Sequence, residues 1–218
     1  MNCNAVNKEK AFRLPVGVIE WGQRKMRNEG LHMRTDAEIM QIIDEAIKSI
    51  WENEIRNDYE NRRLLKEDTL KNAMYFHLRN RIGWLCDECD LRIFTEFTDW
   101  KFRQTRKIPD MVIAKVNMES DAPYWGDAVT KCVAVIELKY KRSAAASKDI
   151  YEDYDKLRFY IEELGVACNL YMGTIWEYED DRTTWERKNA AWAKGKVTEL
   201  NASFSRKTGE PQFYVAPH

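Results

Sequence analysis

Pro109-Asp110-Met111-Val112-Ile113-Ala114-Lys115-Val116 and Cys132-Val133-Ala134-Val135-Ile136-Glu137-Leu138-Lys139 are the two stretches that decide the fold. Each holds a short apolar run, rich in β-branched residues and of the length of a buried strand. Joined as an antiparallel hairpin, the start of the first strand lies beside the end of the second. Asp110 and Glu137 then converge, and Lys139 shares a face with Glu137 because side chains alternate with period two. The loop between the runs, Asn117 to Thr130, carries the turn formers Ser120-Asp121-Ala122-Pro123 and Gly126.

Two carboxylates and an ammonium in one small space call for an explanation. Adjacent acids at a sheet edge repel, and desolvation adds to the cost unless a cation neutralises them. A hard divalent ion with oxygen ligands, magnesium or manganese, suits such a set. It would polarise a phosphoryl oxygen and lower the pKa of a bound water, with Lys139 orienting that water or offsetting developing charge. Hydrolysis of a phosphodiester is the reaction class this suggests.

Pro109-Asp110 followed by Glu137-Leu138-Lys139 resembles the signature of the PD-(D/E)XK nuclease superfamily. The two acids stand 27 residues apart (137 minus 110), a long hairpin with an inserted loop. The resemblance implies metal binding by Asp110, Glu137 and the backbone carbonyl of Leu138, with Lys139 serving the attacking water. It also implies a restriction-endonuclease-like α/β fold, a central mixed sheet flanked by helices, here preceded by an N-terminal helical extension. Glu186-Arg187-Lys188 also matches Glu-x-Lys, but in a stretch that reads as a surface helix. Pro-Asp occurs once in the chain.

A third carboxylate, Glu67, opens a helix in which Leu70, Met74, Leu78 and Ile82 repeat every four residues. An acid there is favoured by the positive end of the macrodipole. The family's helix before the sheet often carries a glutamate facing the metal, and Glu67 is the similar position. Glu96, at the end of the strand Leu91 to Phe97, is either a solvent-facing residue or a further ligand.

Upstream, Thr35-Asp36-Ala37-Glu38 has the form of a capping box. It opens a long helix with Ile39, Ile43, Ile47 and Ile50 as its stripe, fading around Asn61. Residues 1 to 34 read as irregular, with a short strand at Val16 to Trp21. After the hairpin, Ser147 to Leu164 reads as a helix with stripe Ile150, Tyr154, Leu157 and Ile161, closed by Gly165. Val166 to Tyr178 is a strand, Thr183 to Lys194 a helix, and Gln212 to Val215 an edge strand. The order helix, three strands, helix, strand matches the family core from about Glu67 to Tyr178. The domain division expected is 1–62 for the N-terminal segment and long helix, and 63–218 for the core.

Composition sets wider bounds. With 218 residues, 44% hydrophobic and 33% charged, the chain can bury a substantial core. It carries no stretch of membrane-spanning length and no secretory pattern at its start, so the expected compartment is the cytoplasm. Five cysteines include one CxxC, Cys86 to Cys89, read as spare thiols because a zinc site would want a second ligand pair. Cys132 and Cys168 are isolated in sequence.

The net charge of −1 does not suit a protein that grips nucleic acid by overall charge. Distribution matters more. Arg103, Arg106 and Lys107 precede Asp110, while Lys141 and Lys148 follow Glu137 and Lys156 lies on the next helix; together they form a candidate basic rim for a nucleic acid, DNA before RNA. Runs of this kind are also common on solvated faces. The eight tryptophans serve packing or base stacking. No glycine-rich phosphate loop is present. The expected function is a magnesium- or manganese-dependent endonuclease, with a homodimer left open. The competing expectation is a silent module of the same fold that binds nucleic acid or protein without turnover.

Overall fold

A computed structural model describes residues 34–142, 148–179, 191–205 and 207–218. The strand at Val16 to Trp21, the Glu186-Arg187-Lys188 stretch and the helix from Thr183, apart from a 3-10 turn at Ala191–Ala193, lie outside the described residues.

Thr35 caps the first helix, α1 (Asp36–Ile50), with the reciprocal bonds its sequence predicts. The Glu38 N–H donates to Thr35 Oγ1 at 3.3 Å, and the Thr35 N–H to Glu38 Oε2 at 2.7 Å. All four isoleucines of the stripe are buried. The helix continues through a π-helical turn, Trp51–Ile55, into α2 (Arg56–Glu60). Buried Trp51 donates its indole N–H to the Asn201 carbonyl at 3.1 Å, tying this turn to the sheet. The next helix, α3 (Glu67–Glu88), buries Leu70, Met74, Leu78 and Ile82 as its four-residue repeat predicts. Each such side chain contributes about 1.5–3 kcal/mol on leaving water.

The six strands are β1 (Leu91–Thr95), β2 (Met111–Val116), β3 (Val129–Lys141), β4 (Asn169–Glu179), β5 (Val197–Phe204) and β6 (Pro211–Pro217), paired in chain order as one sheet. The β1–β2, β2–β3 and β5–β6 pairs are antiparallel, while β3–β4 and β4–β5 are parallel. The architecture is therefore α/β with a mixed open sheet. The parallel β3–β4 step requires a crossover, which α4 (Lys148–Glu162) supplies. Gly165, at φ +57°, adopts the left-handed conformation that ends the turn after α4, at the position its sequence predicts.

Period-two alternation divides the sheet between two cores. One holds α1, α3 and the π-turn with Ile136, Leu138 and Tyr140 of β3. The other holds Ile150, Tyr154, Leu157 and Tyr160 of α4 with Val112 and Val135. The helix α1 thus shares one core with α3 and the sheet across the division expected at residue 62. The strand β5 escaped the sequence reading because it interleaves Glu199 and Asn201 among its apolar positions, and both are buried. No described helix is long and apolar enough to cross a membrane.

Candidate active site

Met111 pairs with Ile136 in the β2–β3 ladder, so the residue before β2, Asp110, stands opposite Glu137. β3 then outruns β2, and its freed edge meets the side chain ahead of β2: the Leu138 N–H donates to Asp110 Oδ2 at 2.8 Å. Glu137 and Lys139 share the face covered by α4, while the start of α3 reaches the same point past the end of β2. Asp110 and Glu137 are 6% and 0% exposed. Burial of two acids this complete requires compensation.

Compensation comes from three ammonium groups. Lys71 of α3 lies 2.8 Å from Asp110 Oδ1 and also pairs with Glu96. Lys139 lies 3.1 Å from Glu67 Oε1 and 3.0 Å from Asp153 Oδ2 of α4. Lys156 lies 2.7 Å from Asp153 Oδ1 and a looser 3.5 Å from Glu137 Oε2. Tyr160 donates to Glu137 Oε1 at 3.0 Å and also lies 3.2 Å from the Lys107 carbonyl. Five carboxylates against three ammoniums leave a formal excess of two negative charges when all are ionised.

Titration follows from this geometry. Burial and then the Asp110 charge push the Glu137 carboxyl well above the ordinary glutamate range, against the pull of Lys156 and Tyr160. Burial works to discharge Lys139, but Asp153 and Glu67 outweigh it and hold the ammonium above its usual range. Lys71 behaves in the same way through Asp110 and Glu96, and Lys156 through Glu137 and Asp153. Burial and the neighbouring Glu137 raise the Tyr160 phenol.

The sequence-predicted residues Asp110, Glu137, Lys139 and Glu67 therefore meet in one cluster. Glu96 joins at its rim, 60% exposed at the side chain, through Lys71. It holds a left-handed φ of +49° and donates its N–H to the Asp110 carbonyl at 3.0 Å, bracing the start of β2.

The structure places the residues of the candidate basic rim in different surroundings. Lys156 turns inward to acids, and Lys141 is buried at 6% exposure. Arg103 is exposed but held between Asp99 at 2.9 Å and Asp127 at 2.7 Å. Lys107 sets its ammonium over the Phe159 ring at 4.8 Å. Arg106 is exposed, and the side chain of Lys148 lies outside the described residues.

Lys71, Asp153 and Tyr160 were missed in the sequence. Lys71 sits one turn after Glu67. Asp153, Lys156 and Tyr160 follow the spacing i, i+3, i+7, a polar stripe beside the apolar one on α4. That stripe was the available signal.

A magnesium-like ion fits this donor set. Such ions keep several waters and take one or two protein carboxylates. Among the described residues no group of three or more His, Cys, Asp or Glu side chains is placed to hold a metal ion, and acids here alternate with ammoniums. Asp110 and Glu137 have lone pairs to spare beyond the bonds described above, and with every acid ionised the formal excess of two negative charges equals the charge of a divalent cation. No family model matches the chain, and neither a curated protein nor a solved structure does.

Proposed function

We propose that this chain is a divalent-metal-dependent nuclease on a restriction-endonuclease-like sheet, hydrolysing phosphodiester bonds in DNA. The observation that carries the proposal is the strand register, which sets Asp110 opposite Glu137 with Lys139 two residues further on the same face. This is the juxtaposition that the resemblance to PD-(D/E)XK nucleases requires.

Asp110 and Glu137 would hold the ion, with the Leu138 carbonyl as the resemblance implies. When bound, magnesium or manganese supplies Lewis acidity toward a phosphoryl oxygen and a more acidic water. The remaining work falls to the chain. Lys139, kept protonated by Asp153 and Glu67, is a hydrogen-bond donor and point charge rather than a base. It can orient a water and offset charge that grows on the phosphoryl oxygens. Lys156 and Tyr160 fix Glu137 from the α4 side, and Lys71 fixes Asp110 from the α3 side.

One observation favours the second reading, a binding module without turnover: Lys71 and Lys156 already sit against the two carboxylates an ion would use. Purified protein incubated with closed circular DNA, with and without manganese, separates the two. Metal-dependent opening of the circles that disappears in Lys139→Ala supports the nuclease. An intact circle, together with a melting temperature unmoved by magnesium or manganese, favours the binding module, since an ion that binds the native state must stabilise it.

A further inference from the structure

Cys132 and Cys168, 36 residues apart in sequence, are brought together by the sheet. Cys132 lies near the start of β3, and Cys168 immediately precedes β4. The parallel pairing of these strands sets Ala134 opposite Asn169, which brings the two cysteines to the same end of the sheet. Their sulfurs lie 3.6 Å apart, with the Cys168 thiol directed at Cys132 Sγ. The Cys132 thiol in turn points to the Ala134 carbonyl, 3.7 Å away.

The two thiols differ in access. Cys132 is 2% exposed and packed in the core beneath α4. Cys168 is 8% exposed and lines a surface cleft of about 390 Å³ together with Met40, Ile161, Gly165, Val166 and Lys196. A molecule entering the cleft meets Cys168 first. The hydrogen bond from Cys168 and burial push the Cys132 thiol well above its ordinary range. Bonded sulfurs stand about 2.05 Å apart, so the pair must close the rest of the gap. The segment that carries Cys168 follows Gly165 in its left-handed turn and runs outside any strand until Asn169.

We propose that Cys168 and Cys132 form a dithiol–disulfide couple that accepts low-molecular-weight disulfides as oxidant, Cys168 being the entry thiol and Cys132 the resolving thiol. The Cys168 thiolate attacks one sulfur of the small disulfide; that S–S bond breaks, and one small thiolate leaves and takes up the Cys168 proton. The Cys132 thiol then loses its proton and attacks Cys168 Sγ of the mixed disulfide, expelling the second small thiol, which takes up that proton. The protein loses two electrons and two protons, and the small disulfide gains both. The new bond staples the start of β3 to the segment entering β4. The proposal is independent of the nuclease reading, because it uses neither the charged cluster nor a metal.

The test is peptide mapping by mass spectrometry of the full chain in glutathione disulfide, followed by the same measurement on single variants. Expected are a Cys132–Cys168 linkage that dithiothreitol reverses, and, in Cys132→Ser, one glutathione arrested on Cys168. Cys168→Ser should leave Cys132 unmodified under the same conditions, and Cys86→Ser should link Cys132 to Cys168 as the parent does. Absence of the Cys132–Cys168 linkage in the folded parent after prolonged oxidation overturns the proposal. Glutathione appearing on Cys132 of Cys168→Ser as fast as the parent reacts overturns the assignment of entry and resolving roles. The parent map alone decides the couple if a variant fails to fold.

Discussion

The strand β3 presents Ile136, Leu138 and Tyr140 to α1 and α3, and Val135, Glu137 and Lys139 to α4. Alternate residues of one strand thus meet two different environments. The first face closes over a continuous apolar cluster, where each buried group adds to stability. The second closes over acids whose neighbours must be arranged one by one. A further contrast lies within the second face, since the ladders place Glu137, Met172 and Glu199 in one cross-strand row. Glu199 is held by His218 at 2.7 Å and Asn201 at 3.0 Å, a close internal solution. Glu137 has its nearest ammonium at 3.5 Å and a raised pKa. Glu199, closely bonded from within, serves the structure, while Glu137, bonded by Tyr160 at 3.0 Å but with a looser ammonium, is the acid that the proposed site uses.

The largest expected effect breaks the contrast at the charged face. Asp110→Asn keeps an acceptor for the Leu138 N–H but loses the charge, so metal-dependent cleavage should fall at least about 10³-fold while the melting temperature moves little. Cleavage assays beside calorimetry check this, and parental activity in the variant would remove Asp110 from the site. At the apolar face the pattern should invert. Leu78→Ala is expected to cost about 2–5 kcal/mol of stability in denaturant titration, with cleavage per folded molecule retained well below its melting point.

A smaller effect tests the seam between the faces. A Cβ on Gly173 would come within 2.6 Å of Leu138 Cδ2 and 3.2 Å of the Trp51 ring. Leu138 pairs with Gly173 across the β3–β4 ladder, so Gly173→Ala should cost about 1–3 kcal/mol through overpacking. If Leu138 and the cluster move together, cleavage falls as well; a purely thermal defect would mean that the faces are mechanically separate.

The smallest expected effect is in pH. A glutamate whose native pKa is raised holds more protons folded than unfolded, so its contribution to stability declines as pH rises from about 4.5 through the native value. Burial, then Asp110 and Asp153, raise that value, and Lys156 and Tyr160 oppose them. In metal-free buffer Glu137→Gln should therefore melt a few degrees above the parent at pH 8, with the gap closing toward pH 4.5. An unchanged gap across this range would show that Glu137 is not the group responsible.

Much of the fold was legible because it is written in local periodicity. The Thr35–Glu38 box, the isoleucine stripe of α1, the four-residue repeat of α3 and the two β-branched runs each depend on neighbours within one turn or one pleat. Period-two alternation and an antiparallel hairpin are also enough to bring Asp110 to Glu137. The strand β5 was harder, because buried Glu199 and Asn201 spoil the apolar signature that a strand leaves.

What the amino-acid order determined by itself is therefore most of the elements, β5 excepted, and the convergence of Asp110, Glu137 and Lys139 at one place on the sheet, since these follow from backbone geometry repeated over short distances. Only the tertiary structure decided that Lys71 from α3 and Asp153, Lys156 and Tyr160 from α4 close around those acids, that Lys141 is buried, and that Cys132 meets Cys168. Those contacts join elements far apart along the chain. They depend on how helices seat on the sheet and how parallel strands align, and no repeat within a single segment encodes either.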